Sequence, residues 1–405
     1  MLYVKENVIQ RIARYLSEVF CGTVSRVLNL ILPVRERHWV FGSDYGRSFR
    51  ESSKYLLLYM LENHKDYDCC FVADTAALKK ELESKGIPAV TNNSIRGIVK
   101  ICRADAVFCS QNMNDIRYAF RKKGRSYYYM THGLPYKICR EALPAKSHES
   151  SSLKGRLLEL FGSVFCQDYD MKDVSFVPGT SDFLAPHLSR VIGHGVPVKI
   201  LGTPRNDMFF NHDFMKNEKW IDGTDGKKII TYMPTHRQYG NGQVTPTPFE
   251  KNIAVQQWFR EHNVLFLMKQ HPNMITKMTD VFSNDVIKDI TELWIDPQVV
   301  MYHSDILISD YSSAPLDFLI FRRPTIYYFY DDYKETEGSL YDVIPDFPNT
   351  ICYSEDELFE CIRKSIEHPD MMSPTDEVVA KYHKFVDDKS SERYYKAVIA
   401  EKYGE

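Results

Sequence analysis

The regular alternation of short apolar runs with longer helical stretches constrains this chain more than any other feature. The runs "HWVFGS" (38–43), "DCCFVA" (68–73), "DAVFCS" (105–110), "SYYYMTHG" (126–133) and "SVFCQ" (163–167) each have the length of one buried strand. Between the first two lies the helix-like "SSKYLLLYMLENH". Between the second and third lies "TAALKKELESKG", with Gly86 placed to end it. This rhythm predicts a parallel sheet covered on both faces. A second set begins near 198: "VKILG", "KKIITYMP" (227–234), "VLFLMKQHP" (264–272), "DILISDYSS" (305–313) and "PTIYYFY" (324–330). The economical architecture is two α/β halves joined near 190–200, where "GHGVP" loosens the chain. A ligand cleft is then expected between them, at the carboxyl ends of the strands.

At 405 residues, 44% of them hydrophobic, the chain is long enough to bury two cores without staples. The formal net charge of -3 gives no bulk basicity, so no nucleic-acid partner is expected. Nine scattered cysteines without a C-x-x-C pair support neither a zinc ribbon nor a thioredoxin-like motif, and fit a reduced, cytoplasmic setting. The polar stretches 143–155 and 238–248 read as exposed loops beside the cleft, suited to mobile lids.

Residues 1–33 form a separate unit. Ile9, Ile12, Ala13, Leu16, Val19, Phe20, Val24, Val27, Leu28 and Ile31 recur at spacings of three and four, and Arg11, Arg14, Glu18 and Arg26 fall between them. The pattern predicts an amphipathic helix closed by Pro33. Two roles stay open: packing on the protein itself, or lying in the plane of a membrane, with Arg35 and Arg37 drawn to anionic lipid. No apolar run reaches 18 residues, and charge interrupts the early ones, so neither a membrane span nor a cleavable signal is expected.

Four stretches at predicted strand ends carry polar groups that a plain turn does not need. In "THGLPYK" (131–137), His132 emerges towards the cleft and Gly133 permits close backbone approach. A neutral imidazole there suits a general base, and a packed turn is the alternative. In "TYMPTHRQYG" (231–240), Thr235, His236 and Arg237 follow a proline, and the planar fork of Arg237 suits phosphate oxygens. In "LMKQHPNM" (267–274), Lys269 and His271 provide a cation and an imidazole for a leaving phosphate; a surface lysine and a satisfied histidine are the alternative. In "LISDYSSAP" (307–315), Ser312 and Ser313 stand where a helix opens at Pro315, a place that favours an anion. Ser313 as a simple cap, worth about 1 kcal/mol, leaves Asp310, Tyr311 and the second serine unexplained. Together the stretches describe a nucleotide-diphosphate cleft with no metal-ligand cluster.

The motifs "HGLPYK" (132–137), "GTPRND" (202–207), "MPTHR" (233–237), "QHP" (270–272) and "SDYSS" (309–313) are similar, in this order, to those of the CDP-glycerol glycerophosphotransferases. These are the teichoic acid and capsule primases and polymerases with a GT-B-like fold, and the chain resembles them over roughly residues 38–345. The resemblance implies two Rossmann-like α/β domains facing a cleft, plus the N-terminal amphipathic helix. Residues 34–195 would bind the acceptor, and residues 196–405, including the C-terminal helices, the CDP-linked donor. It implies transfer of glycerol phosphate, or a related polyol phosphate, to a hydroxyl of a lipid-linked or polysaccharide acceptor, releasing CMP. His132 would be the catalytic base, with His271 beside it in catalysis. The donor set would comprise Arg237, Thr235, Lys269, Asp310, Tyr311, Ser312 and Ser313, with Gly133, Lys137, Arg205 and Asp207 on the acceptor side or along the cleft. Such enzymes work at the anionic inner face of the membrane, which fits the first helix. No cofactor or metal site is expected, although Mg2+ stimulation is compatible with the sequence, as is a homo-oligomer. His236 stands where the family usually has Trp, and Leu134–Pro135–Tyr136 and Glu337–Tyr341 also depart from the pattern, which leaves the donor's polyol least fixed. A GT-B glycosyltransferase using a nucleotide sugar is the alternative reading, and a non-catalytic membrane-bound scaffold a third.

Overall fold

The computed structural model describes residues 8–136, 170–235, 246–270, 282–331 and 340–404, with side chains from residue 16 onward. The run at 163–167, the loop 143–155 and most of 238–248 lie outside the described residues.

Five parallel strands form the first sheet: β1 (Arg35–Gly42), β2 (Asp68–Ala73), β3 (Ala89–Thr91), β4 (Ala104–Cys109) and β5 (Ser126–Tyr129), in the order β3-β2-β1-β4-β5. β6 (Val177–Gly179) and β7 (Val198–Ile200) make a parallel pair of their own. The second sheet has six strands, β8 (Lys228–Tyr232), β9 (Val264–Met268), β10 (Ile287–Asp289), β11 (Ile306–Ser309), β12 (Thr325–Tyr328) and β13 (Ile351–Cys352), in the order β10-β9-β8-β11-β12-β13. In both sheets the chain starts at the centre, runs to one edge and returns to build the other side. That reversal opens a crevice between β1 and β4 in one sheet and between β8 and β11 in the other.

Continuous apolar runs make these strands because both faces are covered. Trp39, Val40 and Phe41 are fully buried on β1, and Leu265, Phe266 and Leu267 on β9. Across the first sheet, Phe41 stacks on Phe108 at 4.6 Å and Phe108 on Tyr128 at 4.9 Å, which fixes neighbouring strands in register. Helices begin where hydroxyls cap them: Thr75 accepts from the Leu78 N–H, Ser94 from Gly97 and Ser354 from Glu357. Gly86 ends the helix Ala76–Ser84 as predicted. Its φ of +75° lets its own N–H reach the Glu83 carbonyl and that of Ile87 reach Leu82.

Two expectations about the second half change. Residues 198–202 were grouped with its sheet, yet β7 pairs with β6 and stands apart from the six strands. The last helix, Ser390–Lys402, packs on the first half: Tyr394, Val398 and Ile399 enter the core of the first sheet beside Trp39 and Phe176. The physical reason is its apolar stripe, which finds an uncovered face there.

The helix Val8–Ile31 presents two faces. Cys21, Ser25 and Asn29 are buried, and Cys21 clusters with Ile98 and Cys102 of the helix Ile95–Arg103. Leu16, Phe20, Val27, Leu30 and Ile31 face outward and are exposed. Among the described residues, no helix is long and apolar enough to cross a membrane.

Candidate active site

On the first sheet, β5 ends at Tyr129 and the chain bends through Thr131, whose φ of 59° is strained for a β-branched residue, to present His132. Tyr129 donates its hydroxyl hydrogen to the Gln111 carbonyl at 3.1 Å, and its oxygen lies 3.3 Å from His132 Nδ1. With that hydrogen engaged, the network assigns a hydrogen to Nδ1, donated to Tyr129, and leaves the Nε2 lone pair open. The ring is exposed to the cleft but stands deep within the molecule. Desolvation there, and then the charges of Arg205 and Arg50, hold its pKa below the ordinary value, so it is neutral near pH 7. Asp115 organises this end of the sheet. Its carboxylate accepts N–H groups of Tyr45, Ser110, Gln111 and Asn112, tying the loop after β1 to the loop after β4.

On the second sheet, the loops after β8 and β11 are tied in the same manner. Asp310 Oδ1 accepts the Thr235 N–H at 2.7 Å, and the Ser309 hydroxyl donates to the Met233 carbonyl at 2.5 Å. Ser312 Oγ accepts the Ala314 N–H at 3.2 Å, whereas Ser313 makes no capping bond to the helix Ala314–Phe318. The simple cap weighed as the alternative role for Ser313 is therefore not made by it, and the nearest hydroxyl-to-backbone bond belongs to Ser312.

The two ends meet over a cleft of about 1250 Å³. A Cβ on Gly133 would lie 2.8 Å from Ser313 Oγ, so the chain beside His132 touches the serine turn and tolerates no larger residue without a shift. Arg205, 2% exposed, spans the halves: it donates to Asp317 Oδ2 at 2.6 Å and to Glu51 Oε2 at 3.3 Å. Lys54, from the helix Glu51–Asn63, reaches Asp296 at 3.3 Å and Glu218 at 3.5 Å across the same gap. Lys269 is buried in the wall. Desolvation lowers its pKa to about 8, with Asp296 opposing and Arg50 reinforcing the shift. Arg47, Arg50, Lys85 and Lys219 add to the cationic lining.

Of the residues singled out in the sequence, His132, Gly133, Arg205, Thr235, Lys269, Ser312 and Ser313 share this one cleft. Asp310 and Tyr311 stand behind its wall; Tyr311 donates to the Asp331 carbonyl at 3.0 Å and packs on Phe329. Asp207 is a correction. Its carboxylate turns from the cleft and accepts the N–H groups of Ser390 and Ser391 at 2.9 and 2.6 Å, anchoring the last helix. Lys137, Arg237 and His271 lie outside the described residues. Among the described residues, no cluster of His, Cys, Asp or Glu is arranged to hold a metal. Sequence reasoning passed over Glu51, Tyr129 and Asp317. Asp317 carried a legible signal, four residues beyond Ser313 and so on the same helical face.

The family described as CDP-Glycerol:Poly(glycerophosphate) glycerophosphotransferase matches residues 25–400. The teichoic acid glycerol-phosphate primase of Bacillus subtilis (strain 168) is 28% identical over 258 residues, which are 60% of this chain and 64% of that protein. The teichoic acid ribitol-phosphate polymerase TarK of Staphylococcus aureus (strain NCTC 8325 / PS 47) is 27% identical over 210 residues, 48% of this chain and 39% of that one. The chain thus spans less than two thirds of the length of these relatives. In three dimensions, the structure of the wall teichoic acid polymerase TagF superposes with a TM-score of 0.71 over 98% of this chain and 99% of that chain, at 17% identity. The shared fold is GT-B-like, as the paired sheets and their crevices require. A match over residues 25–400 covers both sheets and the cleft between them, and the chain belongs to the CDP-glycerol:poly(glycerophosphate) glycerophosphotransferase family.

Proposed function

We propose that this chain transfers a polyol phosphate, glycerol phosphate or a related one, from a CDP-linked donor to a hydroxyl of a lipid-linked or glycan acceptor in teichoic-acid-type synthesis. The observation that carries the reading is the contact between the His132–Gly133 turn and Ser313, with an open imidazole on one side and two serines among cations on the other. The donor's diphosphate lies against Ser312 and Ser313, with Lys269 and the Arg50–Arg205 side of the cleft opposing its charge. His132 Nε2 takes the proton of the acceptor hydroxyl as that oxygen bonds to the phosphorus bearing the polyol. The bond from that phosphorus to the bridging oxygen breaks, and CMP leaves with the electron pair. This is positioning and charge stabilisation in an in-line displacement, without a covalent enzyme intermediate.

The same reading includes a place of work. The outward apolar face of the helix Val8–Ile31 inserts at the anionic inner surface of the membrane, where a lipid-linked acceptor is met. The test of the activity is a panel of CDP-glycerol, CDP-ribitol and nucleotide sugars offered with acceptor, reading the nucleotide released. CMP from a CDP-polyol is the expected result. A nucleoside diphosphate from a sugar donor, with no CMP from either polyol, overturns the proposal in favour of glycosyl transfer.

A further inference from the structure

The cleft is rich in cations, which suit phosphate, yet it also carries carboxylates, which do not. Two of these are fully engaged. Asp317 gives Oδ2 to Arg205 at 2.6 Å and Oδ1 to the Asn206 amide at 2.8 Å. Asp296 gives Oδ2 to Tyr55 at 3.0 Å and Lys54 at 3.3 Å, and Oδ1 to the Gln298 N–H at 3.1 Å. Glu51 differs. Its Oε2 takes one bond from Arg205 at 3.3 Å, and its Oε1 makes none with any described residue. The side chain keeps 18% exposure and lines the cleft, so the residue with the uncommitted oxygen borders the substrate space.

An ion pair alone does not account for this placement. A glutamate held only for charge would set both oxygens on the guanidinium fork, the geometry Arg favours with carboxylates. Instead Arg205 gives its short contact to Asp317 and a longer, single one to Glu51. The backbone points the same way: Glu51 has a φ of 63° at the first residue of its helix, a left-handed conformation that persists in a non-glycine residue only where the surroundings hold it. Burial raises the carboxyl's pKa, and Arg205 and then Arg50 oppose that rise, so a donor of hydrogen bonds arriving at Oε1 would favour the ionised form further.

A carboxylate oxygen repels phosphate and accepts from O–H groups, and a polyol phosphate brings both chemistries side by side. We propose that Glu51 Oε1 accepts a hydroxyl of the polyol chain beside the transferred phosphate, and so selects a hydroxylated chain over a bare phosphate. This rests on the polyol-phosphate reading above. The bond is charge-assisted, and a site built to hold a substrate hydroxyl strongly disfavours an analogue without it. The hydroxyl has two sources: the polyol of the donor, or the terminal polyol or sugar of the acceptor.

The experiment separates them. CDP-glycerol and CDP are titrated calorimetrically into the wild type and Glu51→Gln, and the acceptor KM is measured at saturating donor. Gln keeps the shape and drops the charge; Glu51→Asp keeps the charge, withdraws it by one methylene, and serves if the first variant melts early. If the donor supplies the hydroxyl, the preference for CDP-glycerol over CDP falls about tenfold while CDP affinity holds. If the acceptor supplies it, that preference holds and the acceptor KM rises about tenfold. Unchanged values throughout, or equal weakening of CDP and CDP-glycerol, overturn the proposal and leave Glu51 a structural partner of Arg205. A wild type that binds neither nucleotide is a different failure, and overturns the polyol-phosphate reading together with this one.

Discussion

Tyr129 has a single hydroxyl hydrogen, and its engagement by the Gln111 carbonyl decides which nitrogen of His132 carries the open lone pair that the proposed base needs. Tyr129→Phe removes the acceptor for Nδ1–H, so both tautomers become populated. The expected result is a fall in kcat of about tenfold to a hundredfold with the donor KM unchanged; an unaltered kcat contradicts the assignment. Burial, and then Arg205 and Arg50, hold the imidazole's pKa down, so the acid limb of kcat/KM for the wild type is expected below the ordinary histidine value. Taking away one positive neighbour raises that pKa: Arg50→Gln should move the limb to higher pH, and a limb that stays or falls refutes the coupling. At this scale, His132 and the serine pair were legible in the sequence because they sit in short motifs at strand ends. Glu51 and Tyr129 were not, since their roles depend on which loop the fold lays beside them. Asp310 was legible as special, and the structure places it behind the cleft wall, where it accepts the Thr235 N–H.

The first and last helices show how an element's neighbours settle what its pattern leaves open. The spacing in residues 9–31 announced an amphipathic helix without saying what covered it. In the structure Cys21, Ser25 and Asn29 face the protein, and Leu16, Phe20, Val27, Leu30 and Ile31 face out. Replacing Leu16, Phe20 and Leu30 together with serine is therefore expected to weaken binding to anionic vesicles at least tenfold, with nucleotide affinity intact; undiminished vesicle binding contradicts the membrane reading. The last helix was legible as a helix, but its attachment to the first sheet was not, because the tether Asp207 lies far away in sequence. Burial raises the Asp207 pKa to about 6, opposed by its bonds from Ser391 and Ser390. A raised carboxyl binds its proton more tightly when folded, so its contribution to stability is present at low pH and is lost as pH rises through about 6. Asp207→Asn should flatten that loss, read as the difference in unfolding free energy between pH 4.5 and 7; an unchanged slope counts against it. Strands of two or three residues, such as β3, β10 and β13, escaped the sequence because so short a run shows no period.

Across the whole molecule, two sheets that each reverse direction at their centre bring their strand-end loops together: those after β1, β4 and β5 on one side, and those after β8, β9 and β11 on the other. The rhythm of strands and helices made this architecture legible, since parallel sheets need covered faces and their crevices fall at the strand ends. What the rhythm did not contain is the joint itself. Arg205 between Glu51 and Asp317, and Lys54 between Glu218 and Asp296, fix one half against the other through charges whose partners lie more than a hundred residues apart. Through that joint His132 on one sheet faces Ser312 and Ser313 on the other, the proposed base opposite the proposed phosphate seat. The most direct test of this arrangement is to measure CMP released from CDP-glycerol in the presence of a lipid-linked acceptor, for the wild type and for His132→Ala. The account predicts one CMP for each glycerol phosphate transferred by the wild type, and a loss of roughly 100-fold or more in the variant. Equal CMP release by the two proteins would contradict it.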